Sequence, residues 1–163
     1  MATATYIPIA TQTLSSAAAS ITFSSIPGTY TDLRLVLTCT TTAGANIFLQ
    51  FNGDTATNYS ATYLYGGGTS AGSSYDVSVA QIYLTDASST NTTVPSIRTV
   101  DIMSYAGSTS KAMLKTESGD YNGSGTVAVA IGLWRSTAAI TSMLITASGT
   151  TFATGTIATL WGI

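Results

Sequence analysis

The 163-residue sequence predicts an all-β protein, a single antiparallel β-sandwich of jelly-roll-like arrangement spanning residues 1–163. Three observations predict it. Apolar and polar residues alternate with period two in short blocks, turn signals rich in Gly and Asn separate the blocks, and no helical 3.6-residue period persists. Regularly spaced short strands of this kind are the signature of sandwiches and jelly rolls.

Short strands are expected around residues 5–9 and 20–23. In 32–40, Leu33, Leu35, Leu37 and Cys39 share one face while Arg34, Thr38 and Thr40 share the other. Ile47, Leu49 and Phe51 alternate with Phe48 and Gln50, and Asn52-Gly53-Asp54 closes that run with a tight turn. Gly66-Gly67-Gly68 follows Tyr63 and Tyr65, and residues 66–74 read as a surface loop, as do 86–93. Val77 and Val79 begin a run that continues through Ile82 and Leu84. Val100 and Ile102 anchor the next, then Met113 and Lys115, then Val127, Val129, Ile131 and Leu133 after the turn at 122–125. Met143 with Ile145, and Ile157 with Thr159 and Trp161, complete a set of eight to eleven strands.

Composition narrows the function. Only 7% of residues are charged, against about 25% in an ordinary soluble domain. Ser and Thr, about a third of the chain, take the place of charge. Recurring Val, Ile, Leu, Tyr and Phe argue against disorder and for strands whose outer faces carry hydroxyls. Arg34, Arg98, Lys111, Lys115 and Arg135 are scattered, so there is no basic footprint for nucleic acid or for an anionic membrane surface. No run of about 18 apolar residues exists to span a bilayer, and the first residues lack the basic start of a secretory signal. The single cysteine, Cys39, allows no internal disulfide and fits folding in a reducing cytoplasm.

Chemistry has few carriers here. Histidine is absent, which removes histidine-based triads, acid/base pairs and most zinc sites. The glycine run at 66–68 is not followed by the Lys of a phosphate-binding loop. Asp54, Asp76, Asp86, Asp101, Glu117 and Asp120 offer carboxylates for a glycosidase pair or for calcium, but most fall at turns or strand starts. The Asn52-Gly53-Asp54 and Asp120-Tyr121-Asn122-Gly123 segments do not match an EF-hand loop. The expectation is therefore no enzyme, no metal and no cofactor. Tyr59, Tyr63, Tyr65 and Tyr75 flank the glycine run and are candidates for a sugar-stacking platform, although Tyr is equally at home in strands and interfaces.

Scarce charge has a further consequence. Sheet edges are ordinarily defended by Lys or Pro, and this chain has five basic residues and three prolines. Low charge also eases the burial of surface between subunits. An obligate assembly follows, expected to be a homotrimer or lattice component, with Tyr6, Trp134 and Trp161 as its candidate anchors.

Five blocks carry a resemblance. They are Tyr6-Ile7-Pro8-Ile9 with the residues to Leu14, Ile21 to Leu33 with its Ile26-Pro27-Gly28 turn, Phe51 to Thr55 with Asn58-Tyr59-Ser60, Gly132-Leu133-Trp134-Arg135 with the residues to Ser142, and Thr159 to Ile163. Their order and content resemble short virion structural proteins of tailed phages, especially those of cyanobacterial and aquatic hosts. The resemblance implies a capsid decoration (cement) protein or a head or tail appendage subunit, located in the virion and assembled in the host cytoplasm. Its partners would be itself and other virion proteins. A carbohydrate- or receptor-binding module of a tail fibre, touching host surface polysaccharide, is the alternative. No catalytic residue is carried over.

Overall fold

The computed structural model describes residues 5–84, 90–121 and 124–163. Among them run twelve strands and no helix: β1 (Ile7–Thr13), β2 (Ser20–Phe23), β3 (Leu33–Cys39), β4 (Ile47–Phe51), β5 (Tyr59–Gly67), β6 (Ser70–Val79), β7 (Ile82–Tyr83), β8 (Ser96–Ile102), β9 (Lys111–Tyr121), β10 (Ser124–Trp134), β11 (Met143–Ala147) and β12 (Ile157–Gly162). They form two antiparallel sheets. The large one has the order β1-β12-β3-β8-β9-β10-β5-β6, and the small one β2-β11-β4-β7. From β2 onward every connection crosses between the sheets except β5 to β6, β8 to β9 and β9 to β10. That weave is the jelly roll, here with the β9–β10 hairpin inserted between β8 and β5 and with β1 and β12 added beyond β3.

Alternation fixes which residues meet between the sheets. Leu33, Leu35 and Leu37 of β3, Val100 and Ile102 of β8, and Ala158 and Leu160 of β12 are buried with Ile21, Phe23, Leu49, Phe51, Met143 and Ile145 of the small sheet in one cluster. Trp134 closes its end, stacked on Tyr59 with ring centroids 6.2 Å apart and tilted against Phe51 at 5.4 Å. Asn52 and Gly53 both take positive φ, and Asp54 N–H returns to the Phe51 carbonyl at 2.9 Å. This is the mirror-image hairpin turn that the Asn-Gly pair predicts, here carrying the chain out of β4.

Two expectations are corrected. The run from Val77 to Leu84 is not one strand: the chain leaves β6 after Val79 and re-enters the small sheet at Ile82, past Ser78 with φ 53°. Residues 66–74 are not a loop but the hairpin of β5 and β6, with Gly67 opposite Ser70 and Gly68 alone at positive φ between the strands. Ladder pairing overrides the poor strand preference of Gly and Ser because Val127, Ala128 and Val129 of β10 hold β5 in register. The 122–123 turn and residues 86–89 of the 86–93 segment, Asp86 among them, lie outside the described residues.

Candidate functional site

The charged side chains locate themselves first. Of the twelve charged residues, Asp86 and Asp120 lie outside the described side chains, and each of the other ten has a polar partner within the protein. Asp54 accepts from Trp134 Nε1 at 2.7 Å, from Asn58 Nδ2 at 2.9 Å and from the Ala56 N–H. The Asn58 and Trp134 bonds hold its carboxyl below the usual range. Asp32 accepts from Ser104 N–H, Asp76 from the Tyr63 hydroxyl, and Arg135 donates to Thr57 O, Ser60 Oγ and Ser78 Oγ. Arg34 forks onto Asp101. These groups stitch strands and loops together.

Most unusual are the charges placed inside. Lys111, Lys115 and Glu117 share the inner face of β9 with Met113, and Arg98 joins them from β8. Arg98 Nη2 lies 2.9 Å from Glu117 Oε1, with Nε bonded to Leu84 O and Nη1 to Ser96 Oγ. Lys115 Nζ donates to Tyr83 O at 2.8 Å and sits 4.9 Å from the Tyr63 ring centroid. Burial lowers the Lys115 pKa to about 7, against the pull of Glu117 and Asp76. Burial raises that of Glu117, against the stabilising guanidinium of Arg98.

The opposite face of the same strands is apolar. Strand β10 turns Ala128, Ala130 and Trp134 inward with Gly132, and Val127, Val129 and Ile131 outward. The side-chain volumes on β9 explain the choice: a Cβ on Gly132 would meet Met113 Cγ at 2.8 Å and Ile82 Cδ1 at 3.1 Å, so small residues must face the crowded interior. Register then extends the outward stripe. Val129 lies opposite Leu64, and Ile131 opposite Thr62, which itself faces Tyr75. Leu64, Tyr75, Val77, Val127 and Ile131 are each about 60–70% exposed, and Val129 is 40%. No charged side chain projects from this face among the described residues of β9, β10, β5 and β6, because Asp76 turns to Tyr63. Two shallow hollows flank the knobs. One of about 290 Å³ is lined by Ser60, Thr62, Tyr75, Val77, Ile131 and Leu133, the other of about 330 Å³ by Leu64, Gly66, Ala71, Val127 and Val129.

The residues singled out in the sequence scatter over this frame. Tyr59 and Tyr63 are buried and Tyr65, on the same parity, lies across Gly72 on the inner side, so only Tyr75 points outward. The four do not form one platform, because β5 residues two apart share a face and Tyr75 pairs with the opposite parity. Trp134 is a core residue at 1% exposure and cannot serve as an outer anchor. Tyr6 and Trp161 do lie on the outer side, edge to face at 6.5 Å, with Arg34 over the Tyr6 ring and bonded to its hydroxyl at 3.0 Å. The exposed stripe of Leu64, Val77, Val127, Val129 and Ile131 is not among the sequence candidates. Its signal is present, since β10 alternates small and β-branched residues, but a branched apolar face reads as core.

Comparison with known proteins returns no matching family model, curated relative or solved structure. Among the described residues there is no group of three or more His, Cys, Asp or Glu placed to hold a metal ion, and no helix long and apolar enough to cross a membrane.

Proposed function

We propose that this protein is a structural subunit of a bacteriophage particle, a decoration (cement) protein or a subunit of a head or tail appendage, that acts by docking rather than by catalysis. One observation supports it above others: a four-stranded region turns its charges inward and its branched apolar residues to solvent. An exposed apolar patch of this size without charge marks an interaction surface. The resemblance of the five sequence blocks supplies the phage setting, with copies of the chain and other virion proteins as partners. Quantitative mass spectrometry of gradient-purified particles tests it, followed by a cryo-EM map. The chain should co-purify with particles in fixed stoichiometry, and its recovery only in the soluble lysate would overturn the proposal.

A second reading, binding of host surface polysaccharide, draws on Tyr75. Its ring is 70% exposed beside the hollow that Ser60 and Thr62 line with hydroxyls. A pyranose stacked on that ring would find hydrogen-bonding groups at its rim. A glycan array with wild type and Tyr75→Ala decides it: binding that vanishes in the variant supports the reading, and no binding by wild type removes it.

A further inference from the structure

We infer that the outer face of β9, β10, β5 and β6 is covered by the same face of another copy of this chain. The inference rests on the docking role proposed above and names the partner.

Among the described residues the four strands put no charged side chain on this face, and Arg135, just past β10, lies at its rim bonded to Ser60 and Ser78, so a matching surface must itself be largely apolar. The chain carries such a surface. Two copies meeting across the apolar stripe bring no like charges of its described strand residues together, and Thr62, Thr116, Ser73 and Ser118 offer hydroxyls that can both donate and accept across the contact. Shape agrees with chemistry. Leu64 and Tyr75 stand out as knobs beside the two hollows, and an isologous contact can seat the knobs of one copy in the hollows of the other. Size is in keeping: six exposed apolar side chains spread over three adjacent strands, where a stable protein interface buries roughly 800 Å² per partner.

The β6 side of this face also lacks defence. At the other end of the sheet, β1 carries Pro8 and a register shift between Pro8 and Ala10, both of which discourage strand addition. Strand β6 has neither Pro nor Lys over ten residues, and its ladder to β5 is regular from Ser70 to Asp76, with its register shift, like that of β1, confined to one end of the strand. A neighbouring copy laid over the face would shield this edge too.

Sedimentation velocity of the full chain over 1–100 µM tests the inference, alongside Ile131→Lys and a Thr62→Cys variant. Wild type should sediment as an oligomer, and Ile131→Lys should weaken association by about 100-fold or more, because a lysine without a counter-charge would be buried in the contact. Ile131 is 60% exposed within one chain, so the variant should keep the wild-type circular dichroism and melting. Should it unfold instead, Thr62→Cys decides. Cys39 is buried, so the introduced thiol is the accessible one, and mild oxidation should link two chains through it. A wild-type monomer at 100 µM, an oligomer indifferent to Ile131→Lys, or no cross-link would each overturn the inference. If the chain is monomeric yet present in particles, the virion proposal stands and the face docks on a different protein. If it self-associates yet is absent from particles, the face is assigned and the virion proposal fails.

Discussion

The two ends of the large sheet are built on opposite plans. Across β1, β12, β3 and β8, the inner face is aliphatic, with Leu33, Leu35, Leu37, Val100, Ile102 and Leu160 packed on the small sheet. The outer face there mixes a polar centre, the Arg34–Asp101 fork capped by Tyr6 and Trp161, with Ile7, Ile97 and Ile157, each only 42–45% exposed. Across β9, β10, β5 and β6 the inner face holds Lys111, Lys115 and Glu117 among Met113, Tyr59 and Tyr63, while the outer face is Leu64, Tyr75, Val77, Val127, Val129 and Ile131. The first end resembles the wall of a monomer. The second resembles a wall meant to be covered, with its ions and hydrogen bonds held inside and its branched apolar residues left outside. On the inference drawn above, stability and association fall to different faces of the same strands.

Breaking the inner side of the second end should have the largest effect. Glu117→Leu leaves the Arg98 guanidinium buried without its carboxylate and should cost about 3–5 kcal/mol in urea unfolding. Adding Arg98→Met should restore most of the loss, because removing both ions avoids the orphaned charge. A double variant no more stable than the single one would show that the ion pair is not the cause.

The next effect is a pH dependence. An unfolded lysine holds its proton to about pH 10.4, whereas folded Lys115 releases it near 7 because of burial. Between these values the unfolded chain binds more protons, so stability gains from rising pH. The penalty for burying this amine is full below about pH 7 and is relieved as pH climbs toward 10. Wild type should therefore gain on Lys115→Met, measured by urea unfolding, from pH 7 to pH 10. Comparing the two proteins removes the shared contribution of Tyr59, whose hydroxyl burial pushes up to about 12. A difference independent of pH would contradict a neutral buried amine.

Smaller still is the effect expected at the polar outer surface of the first end. Arg34→Ala removes a partly exposed pair and should change stability by less than about 1 kcal/mol. On the apolar outer face, Ile131→Thr should shift single-chain stability by no more than about 0.5 kcal/mol, read by urea unfolding at a concentration where wild type is monomeric. It should nevertheless lower association, which would separate the two faces most sharply.

Much of the fold can be read from alternation. The Leu33, Leu35, Leu37 and Cys39 face is buried as its period predicts, and the Asn52-Gly53 turn takes the backbone its residues favour. The pairing order of the sheets is not legible, since β12 meets β1 and β3 across more than a hundred residues and local pattern carries no such information. Which side of β10 faces inward is not legible either, for a physical reason. Period two divides a strand into two faces but leaves open which one is inner, and at Gly132 the neighbouring Met113 and Ile82 leave no room for a Cβ. The Tyr candidates fail on the same point. Sequence proximity to the glycine run groups them, whereas parity sends Tyr59, Tyr63 and Tyr65 inward and Tyr75 outward.

Hydroxyl-radical footprinting of Tyr75 and Tyr6 on the same sample, at low and high protein concentration, tests the contrast between the two ends most directly. Tyr75 is 70% exposed and Tyr6 is 43% exposed in the single chain. If the second end is the covered wall, labelling of Tyr75 should fall severalfold on association while Tyr6 stays labelled. Loss at Tyr6 with Tyr75 unchanged would contradict the account and move the interface to the first end of the sheet.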